Sequence, residues 1–169
     1  MIFELCVGTL ADVVSGKYKD YMPPEQQCLH QMAAGVEHIH SKNLVHGNIK
    51  PGNVLICAND GWVRLKMADF VCLNSSVEGK IALDTKTIGD LHYLAPEVLQ
   101  VLDQDQIQAN ELQVPQVTNA SDVFALGCVF YKFLTKRHPF GGKIVNITSG
   151  QPDLSGTLNV STLSDQLIK

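Results

Sequence analysis

The chain is predicted to fold as a mainly helical domain with one small β-hairpin, and three segments of its 169 residues carry that expectation. In the first, Leu29, Met32, Ala33, Val36 and Ile39 recur at spacings of three and four, with Gln26, Gln31 and Glu37 between them. That is the period of a helix with one apolar face. In the second, residues 53–57 and 62–67 read as short strands joined by Ala58-Asn59-Asp60-Gly61, and the last three of these tolerate the positive φ of a hairpin turn. In the third, residues 119–135, Val123-Phe124-Ala125-Leu126-Gly127-Cys128-Val129-Phe130-Tyr131 is apolar on every face. A helix of that kind is expected to be buried, with the rest of the domain packed around it.

The remaining elements follow in order. Ile2-Phe3-Glu4-Leu5-Cys6-Val7 reads as a short strand, and Gly8-Thr9 leaves it for a helix through about Ser15, stopped by Gly16. Pro23-Pro24-Glu25 starts the amphipathic helix, which ends near Ser41-Lys42-Asn43. In the second hairpin strand Val63, Leu65 and Met67 alternate with Arg64 and Lys66, so one face is buried and one is wet. Residues 74–90 are polar and without period, a loop of a length usually reserved for function or mobility. Beyond Phe140-Gly141-Gly142 the pattern weakens, and a last helix is expected over residues 161–169. No internal repeat is present.

Composition excludes several classes. With 45% hydrophobic and 18% charged residues the chain is neither disordered nor collagen-like, and a chain of this length buries roughly 70% of its unfolded surface. Thirteen Lys+Arg against 17 Asp+Glu give a net charge of −4, and no basic stripe suggests direct nucleic-acid binding. The longest apolar run falls short of the ~20 residues of a membrane span. The first residues lack a basic region and a cleavage site, so no signal peptide is expected. Five cysteines, odd in number and without a Cys-x-x-Cys pair, read as reduced core thiols, neither a disulfide frame nor a zinc site. The expected location is cytoplasmic.

Chemistry concentrates in His46-Gly47-Asn48-Ile49-Lys50-Pro51-Gly52-Asn53, followed by the hairpin and then Ala68-Asp69-Phe70. This places a cation (Lys50), an amide (Asn53) and a carboxylate (Asp69) around one hairpin. A carboxylate with an amide oxygen is a hard oxygen pair suited to Mg²⁺, which keeps several waters and takes further ligands from phosphates. A lysine beside them can neutralise charge on a phosphoryl group in transfer. Singly, each is an ordinary solvated or turn residue; order and spacing carry the argument. His46 and Asp122 read as structural, the first as a buried core histidine and the second through backbone hydrogen bonds. His38 and His40 do not share a helix face, so they form no metal pair.

In that order the chain resembles a protein kinase. His46-x-Asn48-x-Lys50-x-x-Asn53 follows the catalytic-loop pattern H-R-D-x-K-x-x-N, Asp69-Phe70-Val71 stands at D-F-G, and Ala95-Pro96-Glu97 matches A-P-E. Ser121-Asp122-Val123-Phe124-Ala125-Leu126-Gly127-Cys128 resembles the buried hub helix, whose Asp steadies the catalytic-loop backbone, and His138-Pro139-Phe140-Gly141 matches the segment after it. Phe3-Glu4-Leu5-Cys6 with Thr9-Leu10, Ala68-Asp69-Phe70 and Gly127-Cys128-Val129-Phe130-Tyr131 resemble the unfolded-protein-response kinase/endoribonuclease of the inositol-requiring-enzyme type. The oligoadenylate-activated ribonuclease is a cousin.

The resemblance implies the C-terminal lobe of the kinase fold over residues 1–169, from the hinge to about the start of the late helices. No Gly-x-Gly-x-x-Gly, strand lysine or helix glutamate precedes it, so the N-lobe is expected to be absent, and so is a ribonuclease module. It implies ATP and Mg²⁺ as cofactors: Asn53 and Asp69 on the metal, Lys50 on the transferring phosphoryl group, Leu55 as the floor under the adenine, and the backbone of Glu4 and Cys6 at the adenine edge. A protein substrate, self-association or pairing with an intact kinase would supply partners. A full-length parent would sit on the cytosolic face of the endoplasmic reticulum.

Four departures from the family pattern bear on activity. Asn48 stands where the catalytic base should be, and an amide has no useful basicity; losing a general base typically costs roughly 10²–10⁴ in rate. Gly47 replaces the Arg that reads a phosphorylated activation loop, although Ser75, Ser76, Thr85 and Thr87 lie where phosphorylation sites belong. Val71 replaces a glycine, and a β-branched residue resists positive φ. Asp90 replaces the Thr that contacts the base and lysine. Glu97 is expected to lack its late-helix Arg partner, and the sequon Asn146-Ile147-Thr148 has no use in a cytosolic domain. The expected function is that of a serine/threonine kinase-family domain weakened in phosphotransfer. A pseudokinase protein-interaction module and a non-functional fragment stand as alternatives.

Overall fold

The computed structural model describes residues 5–59, 61–69, 90–104 and 116–153. Within them run β1 (Gly8–Thr9), α1 (Leu10–Val14), α2 (Glu25–Ser41), β2 (Val54–Asn59), β3 (Trp62–Met67), α3 (Pro96–Gln104), α4 (Asn119–Thr135) and α5 (Ile144–Thr148), with 3₁₀ turns at Pro51–Asn53 and Leu91–Tyr93. The result is the mainly helical body with a small sheet that the hydrophobic periods predict.

Local chemistry sets the main helix boundaries. Thr118 and Ser121 form a reciprocal capping box at the start of α4, Ser121 Oγ accepting from Thr118 N–H at 2.8 Å and Thr118 Oγ1 from Ser121 N–H at 3.3 Å. At its other end Lys136 takes φ +63° and donates its Nζ to Phe133 O at 2.7 Å. Helix α2 begins after Pro24 and closes with Asn43 at φ +57°, a conformation asparagine tolerates better than most residues. Its buried stripe is Cys28, Met32 and Val36. Ala33, expected in that stripe, is exposed, because positions four apart keep to one side of the helix while 33 rotates past it.

The sheet order is β1-β2-β3, all antiparallel. The hairpin matches its prediction within two residues, and Gly61 supplies φ +83° at the turn. The strand expected over residues 2–7 is corrected: residues 1–4 lie outside the described residues, and the strand is Gly8–Thr9. Its chain then turns at once into α1, because Thr9 caps the helix with Asp12, donating to Asp12 Oδ2 at 2.9 Å and accepting from Asp12 N–H at 3.2 Å. On β3 the Leu65 N–H, which faces away from β2, donates to Gln31 Oε1 of α2 at 2.7 Å, so the edge is covered. Gly35 lets α2 approach this closely; a Cβ there would lie 2.9 Å from Met67 Cγ.

One core joins Leu10, Met32, Val36, Val54, Ile56, Leu65, Val129 and Phe133; in it α2 packs on β3, and α4 packs on α1 and α2. A second cluster of Ala95, Val98 and Val117 anchors α3, a helix absent from the elements expected from the sequence. The expected all-round burial of α4 is corrected. Val123 is 60% exposed and Gly127 is exposed, since α1, α2 and the Leu91–Tyr93 turn cover only the other faces. The loop over 74–89, Cys72, Val71, the four loop hydroxyls and the helix over 161–169 lie outside the described residues.

Candidate functional site

The loop between α2 and β2 is held by one buried carboxylate. Asp122, in the first turn of α4 and 2% exposed, accepts from His46 N–H at 2.7 Å and Gly47 N–H at 2.9 Å, and pairs with His40 Nε2 at 2.8 Å. A charge taken out of water at that depth needs several donors, and these are charge-assisted bonds. Gly47 sits at φ +70°, a conformation that only glycine adopts without steric cost. By sequence His40 stands only beside His38 on one helix; the contact 82 positions away gives it a use as a partner of Asp122.

Two buried imidazoles act as acceptors. His46 is fully buried and its Nδ1 accepts from Asn48 N–H at 3.3 Å; His138 Nδ1 accepts from Phe140 N–H at 3.2 Å. An acceptor nitrogen must be unprotonated. Burial accordingly holds both histidines below their ordinary 6.5, against the pull of Asp122 on His46 and of the His92 backbone on His138. Below that value the unfolded chain binds protons the native chain excludes, so stability falls as pH drops through 6.5 and levels off above it. Melting temperatures between pH 7.5 and 5.5, on the order of one unit either side of a free histidine, should show this decline. The slope should shrink in His138→Asn, whose amide oxygen can replace the accepting nitrogen; an unchanged slope would remove His138 from the account.

The candidate chemistry lies on a closed circuit of hydrogen bonds. Asn53, 8% exposed, donates Nδ2 to Asn48 O at 2.8 Å, which turns its Oδ1 away from that carbonyl. Its own carbonyl accepts from Ala68 N–H at 2.9 Å, fixing the exit of β3. The next residue, Asp69, takes φ +57°, unusual for a residue with a side chain. Asn48 Nδ2 closes the ring by donating to Asp69 O at 3.0 Å and Asp69 Oδ2 at 3.1 Å. The structure therefore brings Asn48, Asn53 and Asp69 together. Lys50 is half-buried at the head of the 3₁₀ turn, where its carbonyl accepts from Asn53 N–H at 2.9 Å, and its Nζ has no ion pair among the described residues.

Other expected residues fall around this ring. Leu55 is half-buried on β2, between Thr9 of β1 and Lys66 of β3. Cys6 lies against the same strand, its sulfur beside Cys57. Glu4, Phe70 and Val71 lie outside the described residues. Asp90 does not reach the loop; its carboxylate caps its own turn through His92, with Oδ1 2.8 Å from Nδ1. Glu97 is exposed and makes no ion pair among the described residues. The donor set fits Mg²⁺, since Asn53 Oδ1 and the second oxygen of Asp69 are hard ligands on adjoining segments. Among the described residues no cluster of three or more His, Cys, Asp or Glu side chains could hold a metal, so an ion here would draw on water and phosphate.

A family model described as the protein kinase domain matches residues 1–161. The chain belongs to the protein kinase family. The human serine/threonine-protein kinase/endoribonuclease IRE2 is 34% identical over 161 residues, which cover 90% of this chain and 16% of that protein. The sensor for unfolded proteins in the ER, ire1, of Schizosaccharomyces pombe is 32% identical over 160 residues, 83% of this chain and 15% of its own length. The Caenorhabditis elegans serine/threonine-protein kinase/endoribonuclease ire-1 is 30% identical over 182 residues, with 99% and 18% covered. The kinase-family chain thus spans less than a fifth of these curated relatives. Its helical body with a small sheet has the arrangement of a kinase C-terminal lobe. Among the described residues no helix of this kinase-family domain is long and apolar enough to cross a membrane.

Proposed function

We infer that this kinase-family domain binds Mg²⁺-ATP and, within a protein of the unfolded-protein-response kinase/endoribonuclease type, transfers phosphoryl groups only weakly. The observation that carries the reading is the Asn48–Asp69 contact: the side chain at the base position is spent donating to the neighbouring carboxylate. Asn53 and Asp69 would hold Mg²⁺, which when bound neutralises phosphate charge. Lys50, free of any ion pair among the described residues, would meet the transferring phosphoryl group. Leu55 would lie under the adenine, with the backbone of Glu4 and Cys6 along its edge. A substrate hydroxyl arriving at Asn48 finds no base, so its proton leaves late and turnover is slow. The parent protein would act on a protein hydroxyl, self-associate and face the cytosol at the endoplasmic reticulum.

Calorimetric titration of the whole chain with Mg²⁺-ATP tests this. Binding in the micromolar range that disappears in Asp69→Ala is the expected result. A folded chain that leaves the nucleotide unbound would overturn it, in favour of an interaction module that pairs with an intact kinase.

A further inference from the structure

Cysteines scattered along a chain look like isolated core thiols, and for Cys28 and Cys128 the fold agrees. They are 0% and 3% exposed, and burial pushes their thiols up to about 11 and about 12, leaving almost no thiolate. Cys6 and Cys57 differ. They stand 51 positions apart in sequence, yet their sulfurs are separated by 2.7 Å. Ordinary non-bonded carbon atoms stand off at about 3.5–4.0 Å.

The cause is a fault in strand register. Gly8 pairs with Ile56 and Thr9 with Leu55, a ladder that would continue with Val7 opposite Cys57. Instead the Val7 N–H donates to Ile56 O at 2.8 Å, so Val7 and Gly8 both address Ile56. Two residues against one is a bulge, and the offset sets Cys6 across from Cys57. Cys57 is 2% exposed on β2, whereas Cys6 is only partly buried. One sulfur can therefore meet a small oxidant while the other waits behind it.

We propose that Cys6 and Cys57 form a redox-active dithiol, closed by hydrogen peroxide into a disulfide that locks the segment leading into β1 onto β2. The Cys6 thiolate attacks one peroxide oxygen and the O–O bond breaks; the departing hydroxide takes up the thiol proton as water, leaving Cys6 as a sulfenic acid. The Cys57 sulfur then attacks the Cys6 sulfur, the S–O bond breaks, and hydroxide leaves with the Cys57 proton as a second water. Two thiols lose two electrons and one peroxide gains them. The site does not depend on nucleotide binding.

The test treats the full chain with stoichiometric hydrogen peroxide near neutral pH, alkylates the remaining thiols after denaturation, and maps the unreduced peptides by mass spectrometry. A Cys6–Cys57 cross-link is expected as the dominant product, with a melting temperature raised by about 5–10 °C, since the closed loop is long. Dithiothreitol should reverse both changes, and Cys6→Ser or Cys57→Ser should abolish them. Cys6 stopping as sulfenic or sulfinic acid, both thiols remaining alkylatable, or cross-links only to other cysteines or between chains would overturn the proposal. The wild-type map decides the matter even if a variant folds poorly.

Discussion

Replacing Asp122 with alanine is expected to lower the melting temperature on the order of 10 °C. The carboxylate holds two backbone N–H groups and one imidazole, all within 2.9 Å. Removing it leaves the His46 and Gly47 donors buried without that acceptor, and each buried unsatisfied donor costs about 1–3 kcal/mol. With the lost imidazole contact the sum is about 3–5 kcal/mol, and each kcal/mol moves the midpoint of a chain this size by about 2–4 °C. His40→Ala removes one contact and leaves the backbone bonds in place, so its effect should be several-fold smaller. Thermal and urea melts of the two variants check the order. A drop of about 2 °C or less for Asp122→Ala, the equivalent of roughly 1 kcal/mol, would mean that water enters and replaces the carboxylate.

Restoring a carboxylate by Asn48→Asp should produce two opposite effects. In any form of the protein that turns over ATP, the returned base should raise the rate by roughly 10²–10⁴. In the metal-free chain the same change removes the amide that donates to Asp69 O and Oδ2 at 3.0 and 3.1 Å and puts two negative groups in contact. Because the contact is exposed, the loss of stability should be small and reduced by salt. Magnesium should reverse it by binding between the two carboxylates. Turnover assays and melts with and without a chelator separate the effects. Unchanged turnover would show that base loss is not what limits the enzyme, and identical melts in chelator would show that Asn48 does not tether Asp69.

Asn48 illustrates the distance between reading and geometry. Its residue type shows at once that no base is present, because basicity belongs to the side chain and needs no neighbour. That its amide ties Asp69 depends on the backbone turn at φ +57°, which no neighbouring residue type announces. His40 hid for a related reason: a polar residue on a helix gives no sign of whether it faces water or a buried carboxylate. Helix α5, with two β-branched isoleucine positions and a valine in five residues, has weak propensity and forms where Ile147 is buried and Asn146 Nδ2 donates to Phe140 O at 3.2 Å.

The amphipathic helix, the hub helix, the hairpin and the ordered kinase motifs are all legible in the chain itself. The first three rest on a period or a turn contained within about twenty residues, the range over which helix and strand geometry act, whereas the kinase motifs are legible as a family resemblance through their order along the chain. The kinase resemblance already implies the Asp122 bonds to the catalytic-loop backbone, which the structure shows at His46 and Gly47. The His40–Asp122 pair across 82 positions, the Asn48–Asp69 tether across 21 and the Cys6–Cys57 contact across 51 exist only once packing has joined distant segments. Burial and strand register set those meetings, and a single bulge moves one of them by a whole residue; local sequence carries no record of either.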